Sequence, residues 1–372
     1  MKKVVSLIVI ALLMVSCNQE EVLVETPEVT PEVPRSIGFD TFVDKSSRAT
    51  GNSTALNDFY SAFKVYGWKT VAGTPTPIFQ DHAVSYYDAE EDKGTKPGAE
   101  WGNSVTTGWY YTDIRYWDKM ASAYQFCAYA PVAATDVVCK EDGQITIGSA
   151  TAPVKVETKN LMATPAEQLA FKRFEFDYMT ATAGSDGTYS NVSLNFKHLQ
   201  AKLNIRIHLN ESVTTAQTVK ITEIGVHNLG NKGYYDSEAI GADVVSGWTL
   251  ATADADYVPT VTTDYPINGS ESKSGYYVLE QLILPQTIKK AATTEPSLVE
   301  LTEACLYVEY NIGSEVFKSF SPLANIFAST DTYNLEGGKQ YTVNVIVGPS
   351  PIEFTADVAE WADAVDKDKE MN

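Results

Sequence analysis

Apolar residues recur at every second position along much of this chain and seldom at helical spacing. Period two puts alternate side chains on one face of a strand, so the pattern predicts half-buried sheets. The clearest run joins Leu203, Ile205, Ile207 and Leu209, with Lys202, Asn204, Arg206 and His208 on the opposite face. Further strands are expected at Tyr276 to Leu284, Leu306 to Ile312, Val316 to Phe320 and Tyr341 to Val347, broken by turn clusters such as Gly269-Ser270 and Gly337-Gly338. The fold class implied is all-β, built from β-sandwiches.

Two of the alternating stretches share one pattern, Ile-x-Phe-x-small-x-Val. The first carries Ile37, Phe39, Thr41 and Val43; the second carries Ile352, Phe354, Ala356 and Val358. Either can fill the same slot in a sheet, because an edge accepts any segment with matching alternation. Arg48, in Ser46-Ser47-Arg48-Ala49-Thr50, lies between the first copy and the body of the chain. A trypsin-like cut between Arg48 and Ala49 detaches the whole first copy, whereas a cut after Arg35 leaves it attached. Gly348, Pro349 and Pro351 separate the second copy from the strand before it, and prolines there prevent continuous ladder pairing. They are read as a hinge that lets the copy swing outward, with Trp361 as a further anchor. The spacing implies a chain that polymerises by strand exchange.

With 372 residues, 44% of them hydrophobic and 11% aromatic, the chain has apolar material for two cores. A stretch rich in Gly, Ser, Thr and Asp from Thr180 to Asn191 marks the expected boundary. The expected N-terminal sandwich covers residues 49–190 and the C-terminal one residues 191–372. Ahead of them, Lys2 and Lys3 precede an apolar run from Val4 to Met14, too short to span a bilayer and ending in small residues before Cys17. Residues 1–17 therefore read as a secretory signal. Residues 18–48 read as a propeptide that includes the removable strand. Within it, Glu25 to Pro34 repeats Thr-Pro-Glu-Val, a polyproline-type spacer reaching roughly 30 Å.

A formal charge of -20 argues against nucleic acid, whose binding relies on clustered Lys and Arg. The four histidines, His82, His198, His208 and His227, show no metal-ligand spacing, and no nucleophile motif or phosphate loop occurs. The chain thus reads as no enzyme, with no cofactor and no metal. Asp88, Glu90, Asp92 and Gly94 approach a calcium loop, but the glycine falls one place late and position twelve is Ala99, so a solvated acidic loop is expected. Beyond Cys17 there remain Cys127, Cys139 and Cys305, an odd number that allows at most one intrachain pair; buried structural thiols are expected. The aromatic block from Trp101 to Tyr129 is read as core, with a sugar-stacking platform as the alternative.

Several motifs together resemble the fimbrillin family of Bacteroidales, the subunits of type V pili. They are Met14-Val15-Ser16-Cys17, similar to a lipobox; Ile37-x-Phe39 ahead of Ser47-Arg48-Ala49-Thr50; Trp109-Tyr110, Tyr116-Trp117 and Tyr124 to Pro131; Leu194 to His198; and Tyr341 to Gly348 followed by Pro351-Ile352-x-Phe354. Asn18 to Glu21 is similar to a surface-export signal of lipoproteins. The resemblance implies two transthyretin-like β-sandwich domains in tandem and lipidation at Cys17. It also implies an outer-membrane stage before maturation, cleavage by an arginine-specific surface protease, and donor-strand assembly with other subunits into a surface fimbrium. A stalk position is expected. The alternatives are a tip adhesin, or a surface lipoprotein that binds a host glycan or protein ligand.

Overall fold

The computed structural model describes residues 35–43, 56–102, 104–156, 178–185, 189–210, 213, 219–251, 254–257, 265–267, 276–290, 302–328, 330–348 and 352–361. The signal, Cys17, the spacer, Arg48, Ala49, Pro349 and Pro351 lie outside the described residues. All that is described belongs to one contact unit, 35–372.

The alternating runs are strands. In the first half of the chain these are β1 (Phe39–Val43), β2 (Ala62–Val71), β3 (Thr74–Asp88), β4 (Lys93–Gly94), β5 (Gly108–Tyr110), β6 (Ala123–Ala130), β7 (Val137–Cys139), β8 (Ile145–Ile147), β9 (Val154–Lys155) and β10 (Met179–Ser185). There follow β11 (Val192–His198), β12 (Ala201–Leu209), β13 (Val219–Gly230), β14 (Lys232–Asp236), β15 (Val244–Val245), β16 (Trp248–Leu250), β17 (Asp254–Tyr257), β18 (Tyr265–Ile267), β19 (Tyr276–Ile283) and β20 (Gln286–Lys289). The last are β21 (Cys305–Ile312), β22 (Glu315–Pro322), β23 (Thr332–Leu335), β24 (Lys339–Val347) and β25 (Glu353–Glu360), with a short helix, α1 (Leu323–Phe327), between β22 and β23.

An eight-stranded sheet runs β1-β11-β10-β6-β2-β3-β4, with β5 on β3. A four-stranded sheet runs β19-β12-β24-β25, and a five-stranded one runs β17-β13-β21-β22 with β18 on β13. A six-stranded sheet runs β15-β16-β14-β8-β7 with β9 on β14, and β20 pairs with β23. Antiparallel pairing dominates; β1 with β11 and β12 with β24 are parallel. The fold is all-β, as the alternation predicts, and all five expected strands lie within β12, β19, β21, β22 and β24 or run one residue past them. The outer face of β12 departs from expectation: Asn204 is buried there and Lys202 meets Glu280 at 3.3 Å, while His208 Nε2 lies 3.1 Å from Asn344 Oδ1.

Two clusters of buried apolar side chains form. One gathers Ile37, Phe39, Phe63, Phe79, Phe126, Leu194 and Phe196 with their neighbours; the other gathers Leu203, Ile205, Ile221, Val308, Tyr341 and Val343 with theirs. Strand β6 serves both, because its pleat turns Phe126, Ala128 and Ala130 one way and Cys127 and Tyr129 the other.

The expected boundary at 190/191 does not separate the sheets. Strand β11 lies beyond it yet pairs with β1 and β10, while β8 and β9 lie before it yet pair with β14. The first part of the soft stretch, to Ser185, belongs to strand β10 (Met179–Ser185), which pairs along its length with β6. Small side chains in Ala181 and Ala183 fit a crowded pleat beside Ala128 and Phe126, so packing overrides a turn-like composition.

The cysteine expectation holds only for Cys305, which is buried with its thiol pushed up to about 12 by desolvation. Cys127 and Cys139 are joined in a disulfide across 12 residues, linking β6 to β7. A loop of this length restricts the unfolded chain by about 3 kcal/mol. Reduction, or Cys139→Ser, is therefore expected to lower the unfolding free energy by about 2–4 kcal/mol, read from denaturant curves with and without reductant.

Candidate functional site

Residues 35–43 lie along the edge of the eight-stranded sheet, and their order of burial follows the pleat. Ile37, Phe39, Thr41 and Val43 point inward and are buried; Asp40 and Phe42 face out. Phe39 is the centre of the contact, with its ring edge-on to Phe63, Phe79, Tyr111 and Phe126 at centroid distances of 5.9, 5.6, 5.9 and 6.1 Å. Quadrupoles favour such edge-to-face packing over a sandwich. Burying Ile37, Phe39 and Val43 contributes roughly 1.5–3 kcal/mol for each side chain.

The backbone is held on both sides. From Phe39 to Val43 the strand pairs in parallel with Val192 to Phe196 of β11, and the Val192 amide donates to the Gly38 carbonyl at 2.8 Å. Before Gly38, the chain from Tyr111 to Trp117 closes over the other side. The Ile37 amide donates to the Arg115 carbonyl at 2.8 Å, the Trp117 amide donates to the Arg35 carbonyl at 3.0 Å, and the Tyr111 hydroxyl donates to the Ile37 carbonyl at 2.7 Å. Ser36 and Tyr116 form the bridge between these bonds. Outside the sheet, Asn191 Nδ2 donates to Asp40 Oδ1 at 3.1 Å and Arg35 Nη1 to the Tyr189 carbonyl at 3.3 Å.

The second copy also occupies a sheet edge, but a shallower one. Strand β25 pairs antiparallel with β24 from Ile346↔Glu353 to Lys339↔Glu360. Phe354 and Ala356 are only half-buried and Val358 is 47% exposed, against 0% for its counterpart Val43. Ile352 is likewise half-buried. Beyond the strand, Trp361 is buried, stacks on His198 at 3.9 Å and donates its amide to the Gly338 carbonyl at 2.8 Å. The tail is thus a docked hairpin strand and not a detached arm. Gly348, expected as part of the hinge, is buried, and its carbonyl accepts from the Tyr310 hydroxyl at 2.7 Å, which makes it the fixed end of the connection.

The sequence brings out both strands but not what holds the first. Tyr111, Arg115 and Trp117 act through backbone groups and one hydroxyl, which leave no pattern; the only hint is that they sit within the aromatic block. In that block Trp109, Tyr111, Trp117, Tyr124, Phe126 and Tyr129 are buried, as core packing requires, and Tyr116 is exposed. In the acidic loop, Asp88 Oδ1 accepts from the Glu90 and Glu91 amides and from the Thr107 hydroxyl, so its lone pairs close the local turn.

The described residues thus form an all-β chain with one edge strand buried in an aromatic trench and a second edge strand of the same pattern at β25. Residues 47–361 match the family model described as Fimbrillin-like, and the chain belongs to that family. It is a fimbrial subunit of the cell surface and not an enzyme. It is 22% identical over 400 aligned residues to Fimbrium subunit Fim1C of Phocaeicola vulgatus, covering 97% of each chain. The fold is similar to a fimbrial protein from Bacteroides vulgatus solved by crystallography, with a TM-score of 0.52, 14% identity, and coverage of 88% of this chain and 99% of that one.

The Tyr111 hydroxyl is pushed up to about 12 because burial disfavours its charged form. Its contribution to stability is full below its ordinary value near 10 and is lost as pH rises toward about 12. Tyr111→Phe is expected to cost about 1–2 kcal/mol at neutral pH by leaving the Ile37 carbonyl without its donor. The same variant should lose part of the destabilisation between pH 10 and 12, and hydrogen exchange should quicken at residues 37–43.

Proposed function

We propose that this chain is a stalk subunit, exported as a lipoprotein acylated on Cys17 and held at the outer membrane until an arginine-specific surface protease cuts after Arg48. The observation that carries this reading is the unequal burial, at two sheet edges, of two strands that share one side-chain pattern. The first copy is buried in an aromatic trench; the second is half-exposed on its own subunit. Loss of the first copy opens an edge with unpaired backbone groups and an apolar floor, which is the setting for strand addition.

The second copy suits that opening position by position. Ile352, Phe354 and Val358 stand where Ile37, Phe39 and Val43 stand, and each gains burial by moving. Ala356 stands where Thr41 stands. Thr41 is buried and its hydroxyl has no partner among the described residues, a loss of about 1–3 kcal/mol that an alanine avoids. Pro349 and Pro351 precede the strand, whose pairing with β24 begins at Glu353, so leaving β24 breaks the pairs from Ile346↔Glu353 to Lys339↔Glu360, and strand addition in a neighbour's groove replaces them. Division into two tandem sandwiches, matching the two apolar clusters, remains part of this reading.

Before the cut, the resident strand is joined to its groove by a short tether, so its effective concentration is on the order of millimolar and a foreign strand gains nothing by displacing it. Polymerisation is thereby tied to proteolysis. The mature subunit is expected to begin at Ala49, read by N-terminal sequencing, and Arg48→Ala is expected to stay monomeric by electron microscopy and sedimentation. Normal fibres from that variant would sink the coupling between cleavage and assembly.

A further inference from the structure

One of the positions at which the two copies differ lies directly under a side chain of the groove. Aligned on their shared pattern, Arg35 to Val43 overlays Ser350 to Val358, which puts Pro351 at Ser36 and Glu353 at Gly38. Pro351 is tolerated there. The bonds that flank Ser36 come from the Arg35 carbonyl and the Ile37 amide, so the Ser36 amide takes no part in them, and a residue lacking an amide hydrogen loses nothing. Glu353 is not tolerated as the groove stands. A Cβ built on Gly38 would lie 2.3 Å from Asn191 Oδ1 and 2.9 Å from its Cγ, and no real side chain approaches so closely.

Asn191 is held over Gly38 by a bond that depends on the resident strand. Its Nδ2 donates to Asp40 Oδ1 at 3.1 Å, and Asp40 is Thr355 in the second copy. The resident strand thus offers both the space, through Gly38, and the partner, through Asp40. The second copy offers neither a bare backbone at the first position nor a carboxylate at the second. Asn191 is exposed and its carboxamide is the far end of a rotatable side chain, so it can turn aside once Asp40 has gone.

We propose that Asn191 is the specificity-determining residue of the groove, favouring the resident strand and turning away from Gly38 to admit the Glu353 position of a second copy. This rests on the strand-exchange reading and names the contact by which the groove tells its two occupants apart. The preference is modest, about threefold to tenfold, the size of one exposed hydrogen bond and one constrained rotamer. It adds to the tether in keeping the uncut subunit closed, and it slows entry without barring it.

The test uses the full chain cut at Arg48, with a synthetic peptide of residues 349–361 as the incoming strand and mass spectrometry of the displaced segment as the readout. The wild-type peptide and its Glu353→Gly form are each offered to wild-type protein and to Asn191→Ala. The Glu353→Gly peptide should enter the wild-type groove about threefold to tenfold faster than the wild-type peptide. In Asn191→Ala that difference should vanish, with the wild-type peptide already fast. Equal entry of both peptides into the wild-type groove overturns the role of Asn191 and leaves strand exchange standing. Entry of no peptide into either protein overturns the exchange reading and takes this proposal with it. The peptide arm does not depend on the folding of any protein variant, and an unchanged melting temperature for Asn191→Ala shows that its groove is intact.

Discussion

The trench beside β11 cannot stay empty at small cost. Phe39 alone meets four aromatic rings there, and Ile37 and Val43 are sealed from water at its two ends. Burial of these three side chains contributes roughly 5–9 kcal/mol, which is comparable to the whole net stability of an ordinary domain. Removing the strand also uncovers one edge of β11 and a row of backbone donors and acceptors. In the proposed exchange, the resident strand keeps this trench filled until a neighbour's strand replaces it.

One passage of chain constructs both edges. Residues 192–198 form β11, which carries the first copy, and the chain continues after Leu199 and Gln200 into β12, which carries β24 and through it the second copy. His198 closes the passage: its ring packs against Phe59 at 5.0 Å and is covered by Trp361 at 3.9 Å. The end of the C-terminal strand thus rests on the last residue of the strand that lines the groove. Tyr310 and Trp361 pin the two ends of the C-terminal hairpin strand, so its weak point is the half-exposed middle, where Ala356 and Val358 bury little.

Strands were legible in the sequence because a half-buried sheet repeats every two residues, and Leu203 to Leu209 or Tyr341 to Val347 can alternate in no other way. The twin pattern was legible for the same reason, down to the small residue that is Thr41 in one copy and Ala356 in the other. What escaped was information carried by contacts distant in sequence. Cys127 and Cys139 pair because β7 returns beside β6, and three cysteines give no means of choosing among the pairings. Strand β10 reads as a linker by composition, since Ala181, Ala183 and Gly184 resemble a turn until Ala128 and Phe126 are placed beside them. Tyr111 and Asn191 hold the first strand through a backbone carbonyl and a side-chain amide, and neither kind of bond prints a spacing.

In the proposed exchange, near-equality of the two strands would let connectivity decide which one is bound. The hydrophobic positions match one for one, Ala356 would relieve a buried hydroxyl at a gain of about 1–3 kcal/mol, and Glu353 would oppose Asn191 at a loss of about 1 kcal/mol, so the two terms are small and of opposite sign. A tether that sets an effective concentration near a millimolar, against free subunits near a micromolar, is worth about 4 kcal/mol. That is large enough to override any of the individual differences, and it disappears with one peptide bond. A strand that bound far better than its replacement would stay after cleavage, and one that bound far worse would let subunits polymerise uncut. The close match between Ile37 to Val43 and Ile352 to Val358 is what the proposed protease-controlled exchange would require.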